Sequence, residues 1–220
     1  MKSKVKIDKL ALFLIPIGIA VNFIGGQVTF NLKLPVYIDA IGTFVVAALC
    51  GPIPGAIVGV VSNIVNSISY PAYMVYGIIN LCFALVAAAL ARKGVFTSFG
   101  KTIASGFLFG IIGGVLNSAI TWPLFGFDFA PDATAVFALP LHNILGMPRF
   151  GAQLVASICM DIIDKVISVT IMFFILKSMP NRFLTKLKYG PIYLKARGVD
   201  STEEDEDEDA DSTGEKGKEE

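Results

Sequence analysis

The sequence predicts an all-α integral membrane protein, a bundle of six transmembrane helices with a disordered acidic C-terminal tail. Three observations predict it. Of 220 residues, 54% are hydrophobic and only 16% charged, with a mean hydropathy of +0.68, outside the usual range for a soluble domain of this length. The apolar residues fall in long runs instead of alternating faces. Lys and Arg alternate in density from one connection to the next, as the positive-inside rule requires of a multi-pass chain.

The elements follow in order. "MKSKVKIDKL" is basic and "ALFLIPIGIAVNFIGG" apolar. No Ala-x-Ala-type cleavage site follows, so this reads as a retained first span. A second span is expected at about 36–50, and "GPIPG" at 51–55 breaks it sharply, with two prolines and two glycines in five residues. Further spans are expected at about 55–69, 72–92, 102–121 and 151–177. Spans 1 to 3 fall short of the ~20 residues a perpendicular helix needs. One kinked hairpin over 36–69 that does not fully cross is the alternative.

Counting cations orients the chain. One side collects Lys2, Lys4, Lys6 and Lys9, then Arg92, Lys93 and Lys101, then Lys177, Arg182, Lys186, Lys188, Lys195 and Arg197. The other holds Lys33 and Arg149 beside Asp128 and Asp132. Six spans with both termini cytoplasmic satisfy this distribution. The division expected is a membrane domain over 1–180, a basic cytoplasmic flank over 181–198 and an acidic tail over 199–220. The tail is disordered because it lacks the apolar area to offset its ordering entropy.

Several function classes drop out. Cys50, Cys82 and Cys159 lie in apolar segments with no CxxC pair, and His142 is the single histidine. No metal, cofactor or catalytic residue is expected, so the chain does not read as an enzyme. The bilayer is an expected partner, nucleic acid is not.

The informative anomaly is "CMDIIDKVISV", residues 159–169. Asp161, Asp164 and Lys165 share one helix face, with Asp161 and Lys165 spaced to pair. Lys165 lies ~18 Å along the helix from Lys177, near the bilayer middle, where a charge costs ~2.5–3.5 kcal/mol on insertion scales. Two carboxylates against one ammonium leave a formal −1. Either one Asp is protonated or a third group supplies a donor. The triplet either braces the last helix, through Asn63, Asn66 or Asn117, or floors a binding cavity.

Other candidates surround it. Asp39 is an interfacial carboxylate, a cap or a ligand contact. Asn22, Asn31, Asn63, Asn66, Asn80 and Asn117 are numerous amides for an apolar bundle, suited to interhelical bonds or to a heterocycle. The long connection 122–150 carries Trp122, Phe125, Phe127, Phe129, Phe137, His142, Asn143 and Arg149, readable as a ligand-stacking lid or as an interfacial aromatic belt. Loop 25–35 is expected on the same side. Gly51, Gly55 and Gly59, like Gly106, Gly110 and Gly114, recur every four residues, for close helix packing or for docking another membrane protein.

"LPVYIDAIGTFVVAALCGPIPGAIVGVVSNIV" at 34–65, with "DIIDKVISVTIMFFILKSMP" in the last span, resembles the substrate-binding S components of energy-coupling factor (ECF) transporters, nearest the riboflavin-type family. The likeness covers about residues 10–180. It implies a six-helix membrane protein that binds a vitamin or similar micronutrient near the outer face. It also implies partners: an ECF transmembrane coupling protein and two cytoplasmic ATPases. The chain has no Walker A sequence, so ATP chemistry falls to the partners. The substrate contacts expected are Asp39, Asn80, Asn117, Trp122, Asn143, Arg149, Asp161, Asp164 and Lys165. The family's Ala-x-x-x-Ala pattern on the first helix is replaced here by Pro16, Gly18 and Ala20. The competing reading is a membrane sensor or scaffold without transport activity.

Overall fold

A computed structural model describes residues 9–129 and 134–199. Lys2, Lys4, Lys6, Asp132 and the acidic stretch from Asp200 onward lie outside the described residues. Those described form helices and connections, with no strand among them. The helices are α1 (Lys9–Asn31), α2 (Ile41–Cys50), α3 (Pro52–Asn66), α4 (Tyr73–Arg92), α5 (Phe99–Leu124), α6 (Ala135–Asn143), α7 (Arg149–Ser178), α8 (Asn181–Thr185) and α9 (Gly190–Arg197), with a 3-10 turn at Val95–Thr97 before α5.

Three of these, α1, α4 and α5, are long and apolar enough to cross a membrane. Their outward faces expose side chains such as Leu12, Phe13, Ile24, Ile78, Phe107 and Ile111, a surface suited to lipid and costly in water. α7 has the length, 30 residues, but carries the charged triplet halfway along. α2 and α3 are shorter, 10 and 15 residues.

Two boundaries depart from the sequence expectation. The first helix does not stop at Gly25–Gly26 but runs 23 residues to Asn31, because those glycines lie on a packed face and make no turn. A Cβ on Gly25 would stand 2.0 Å from the Ile38 carbonyl oxygen, so the glycine lets the following segment fold back onto α1. The second expected span, 36–50, is helical only from Ile41. Pro35 biases its predecessor away from the helical region, and residues 34–40 run as non-helical backbone. α2 is then a short helix whose ten residues are all buried, which accounts for a sequence that is apolar apart from Thr43.

The expected break at "GPIPG" is present. Gly51 adopts φ 99°, open to glycine alone at low cost, and Pro52 opens α3 where its missing N–H is not needed. The second glycine ladder is used inside the bundle. A Cβ on Gly110 would meet the Ile162 Cα at 2.4 Å, and one on Gly114 the Ile158 Cα at 2.4 Å. α5 and α7 therefore pack backbone against backbone. Of the first ladder, Gly55 abuts Ala47 and Gly59 abuts Asn80.

The basic flank forms a collar at one end. The Tyr189 N–H donates to the Leu49 carbonyl at 2.9 Å and the Tyr193 hydroxyl to the Ala48 carbonyl at 3.1 Å, satisfying carbonyls at the end of α2. Burial pushes the Tyr193 phenol's pKa up, so it stays a donor. Arg197 donates to the Leu176 carbonyl at 2.7 Å and the Lys177 carbonyl at 3.0 Å, closing α7. Lys9, Arg92, Lys93, Lys101 and Lys177 end or begin helices at this same end, whereas Lys33 and Arg149 lie at the other.

Candidate binding site at the middle of the bundle

Lys165 sits about 24 Å along α7 from Arg149 and about 20 Å from Ser178, at ~1.5 Å per residue. Its side chain is 2% exposed. Its closest partner is the neighbouring carboxylate of Asp164. Asp161 follows at 3.8 Å and Asp39 at 4.0 Å. Three carboxylates thus face one ammonium, a formal −2. The Lys165 Nζ also lies 5.1 Å from the centre of the Phe83 ring and 5.9 Å from that of Tyr37, where ring faces attract a cation.

The carboxylates do different work. One oxygen of Asp164 accepts the backbone N–H groups of Tyr37 at 3.0 Å and Ile38 at 2.8 Å, so Asp164 pins the non-helical segment to α7. That segment needs pinning: its amides have no helical partners, and Ile38 holds φ 48°, a left-handed conformation that a β-branched residue adopts only under constraint. Thr29 adds a bond from its hydroxyl to the Tyr37 carbonyl at 2.7 Å. Asp161 accepts none of these amides. Its Oδ2 is buried without a hydrogen-bond partner among the described residues. The sequence spacing therefore identified a real neighbour of Lys165 in Asp161, while Asp164 both pairs with Lys165 and holds the two amides. It is the most fully engaged of the three.

A polar line leads away from the cluster toward the end opposite the collar. Asn117 donates to the Tyr37 hydroxyl at 3.4 Å, Thr121 donates to Asn117 at 2.8 Å, and the Tyr76 and Thr121 hydroxyls are 2.7 Å apart. Asn80 stands on the face of α4 that carries Tyr76 and Phe83, four and three residues away. It is 3% exposed, and its side-chain oxygen has no partner among the described residues. Phe44, Phe83 and Phe109 stack below with ring centres 4.6–5.7 Å apart, an apolar floor on the collar side.

No protein-family model, curated protein or solved structure matches this chain. The site's chemistry therefore carries the functional reading.

Of the nine residues named from sequence, Asp39, Asn117, Asp161, Asp164 and Lys165 meet in one cluster, and Asn80 lies on α4 one turn from Phe83, against Gly59 of α3. The other three lie elsewhere. Trp122 packs edge-on against Phe150 and Phe127, with ring centres at 5.3 and 6.4 Å. Arg149 pairs with Asp128 at 3.7 Å, both more than half exposed. Asn143 is exposed at the end of α6. Sequence reasoning missed Tyr37, Phe83, Tyr76 and Thr121. The last two carry a signal in hindsight, each four residues along a helix from a named Asn. Other amides serve the frame: Asn22 donates to Thr43 and Ser62 at 2.9 and 3.1 Å and accepts the Gly42 N–H at 2.7 Å, tying α1 to α2 and α3. A separate groove of about 490 Å³ between α6 and α7 is lined by apolar residues and Cys159, and holds none of the nine.

Proposed function

We propose that this chain is a multi-pass membrane protein that captures a small organic micronutrient in the polar cluster around Lys165, in the manner of an ECF-type S component. One observation carries the proposal: four ionisable groups and a stretch of non-helical backbone meet halfway along a 30-residue helix. At that depth in a bilayer, irregular backbone and charge are tolerated where they are enclosed by protein or line a solute site. The polar line from Tyr76 through Thr121 to Asn117 supplies a hydrogen-bonding route to the cluster.

In this reading the chain crosses six times. α1, α3, α4, α5 and α7 provide five crossings, and residues 32–40 with α2 provide the second in sequence. The basic collar faces the cytoplasm, both termini are cytoplasmic, and the polar line opens outward. Release inward is driven by partners, a transmembrane coupling protein with two cytoplasmic ATPases.

Dialysis of the purified chain in lipid nanodiscs against a mixture of water-soluble vitamins tests the capture step. The expected result is selective retention of one solute at up to one equivalent, quantified by mass spectrometry after denaturation. Retention equal to that of empty nanodiscs for every component contradicts it.

A further inference from the structure

We infer that the solute taken by this site is a small organic cation bearing N–H donors. The inference rests on the capture reading and adds the chemical class of what is captured.

Three observations converge. The cluster is over-supplied with negative charge, because Asp39, Asp161 and Asp164 surround a single ammonium. A second cation brings the formal charge closer to zero, whereas an anion adds repulsion in a setting that screens it poorly. Buried polar groups without partners among the described residues include Asn63 Oδ1, Gln153 Oε1 and the Ser168 hydroxyl, but two acceptors matter here, Asp161 Oδ2 and Asn80 Oδ1. They stand on α7 and α4; Asn80 is one turn of α4 from Phe83, and the Phe83 ring and an Asp161 carboxylate oxygen both lie against Gly113 of α5. A solute that brings an N–H group satisfies Asp161 Oδ2, whereas one that brings only acceptors leaves it unpaired. Finally, the aromatic faces there already hold a cation, since the Lys165 ammonium lies against Phe83 and Tyr37. An amidinium or protonated amine with a flat ring matches this combination of carboxylate and ring face.

The test uses matched pairs differing in charge: benzamidine with benzamide, and tryptamine with indole-3-ethanol. Thermal unfolding of the full chain in nanodiscs is followed across a concentration series of each. The expected result is stabilisation by a cation, at concentrations about tenfold or more below those at which its neutral partner acts, and loss of that shift in Asp161→Asn. The pairs on the unaltered chain decide the matter even where the variant does not fold. Equal shifts from both members of each pair overturn the charge assignment, and so does an undiminished shift in a folded Asp161→Asn variant. Retention of an anionic or uncharged vitamin in the dialysis, with no shift from either cation, overturns the assignment but leaves capture standing. Absence of both retention and shift overturns both.

Discussion

Replacing Asp164 by Ala is expected to cost about 3 kcal/mol or more of stability and to abolish solute retention. Two losses combine. The Tyr37 and Ile38 amides lose their shared acceptor, at about 1–3 kcal/mol for each donor left unmet in a buried setting. Lys165 loses its nearest carboxylate, though Asp161 and Asp39 remain within 4.0 Å and temper the ~3–5 kcal/mol typical of breaking a buried pair. Asp164→Asn keeps a carbonyl acceptor for the two amides and should fall between the wild type and the alanine variant. Denaturant titration in mixed micelles, with limited proteolysis of the 32–40 segment, reads both effects. An alanine variant as stable as the wild type, with the segment equally protected, would remove Asp164 from its role as the brace.

Gly110→Ala is expected to destabilise the bundle by more than the ~1–3 kcal/mol usual for overpacking a core. The added carbon would stand 2.4 Å from the Ile162 Cα and 2.6 Å from its Cγ1, so backbone, not a mobile side-chain end, must move. α5 and α7 are 26 and 30 residues long, and separating them loosens contacts over much of that length. Gly100→Ala is the control on the same helix. Nothing lies within 4 Å of its new Cβ, so it should be neutral or stabilising by about 0.5–1 kcal/mol. Unfolding temperatures of the two variants should move in opposite directions or differ by many degrees. Equal behaviour would mean that the glycine ladder is not the α5–α7 contact.

Much of this architecture is legible in the sequence, for physical reasons. Hydropathy marks α4 and α5 to within a few residues because lipid-facing and core-facing positions are both apolar. The "GPIPG" break is legible because Gly and Pro act locally. The start of α2 is not, because residues 36–40, apolar apart from Tyr37 and Asp39, read as a continuation of the helix that follows. Their conformation is set by Asp164, more than a hundred residues away in the chain. The division of labour between Asp161 and Asp164 was hidden for the same reason. Helical spacing shows that both neighbour Lys165, but backbone amides leave no mark in a side-chain pattern. Trp122 and Arg149 were drawn in by their chemistry, aromatic and cationic, whereas the fold gives them ring neighbours and Asp128 near the bundle's end.

Native mass spectrometry of the wild type and Asp161→Asn, each released from nanodiscs after exposure to the solute retained in dialysis, tests capture at the Lys165 cluster most directly. Asp161 holds no backbone amide, so its variant should keep the fold while losing an acceptor and a charge from the cluster. The expected spectra show a one-to-one adduct on the wild type and about tenfold or more weaker occupancy on Asp161→Asn, with unfolding temperatures in the absence of solute differing little. Equal occupancy on the two folded proteins would place the solute elsewhere and contradict capture at this cluster.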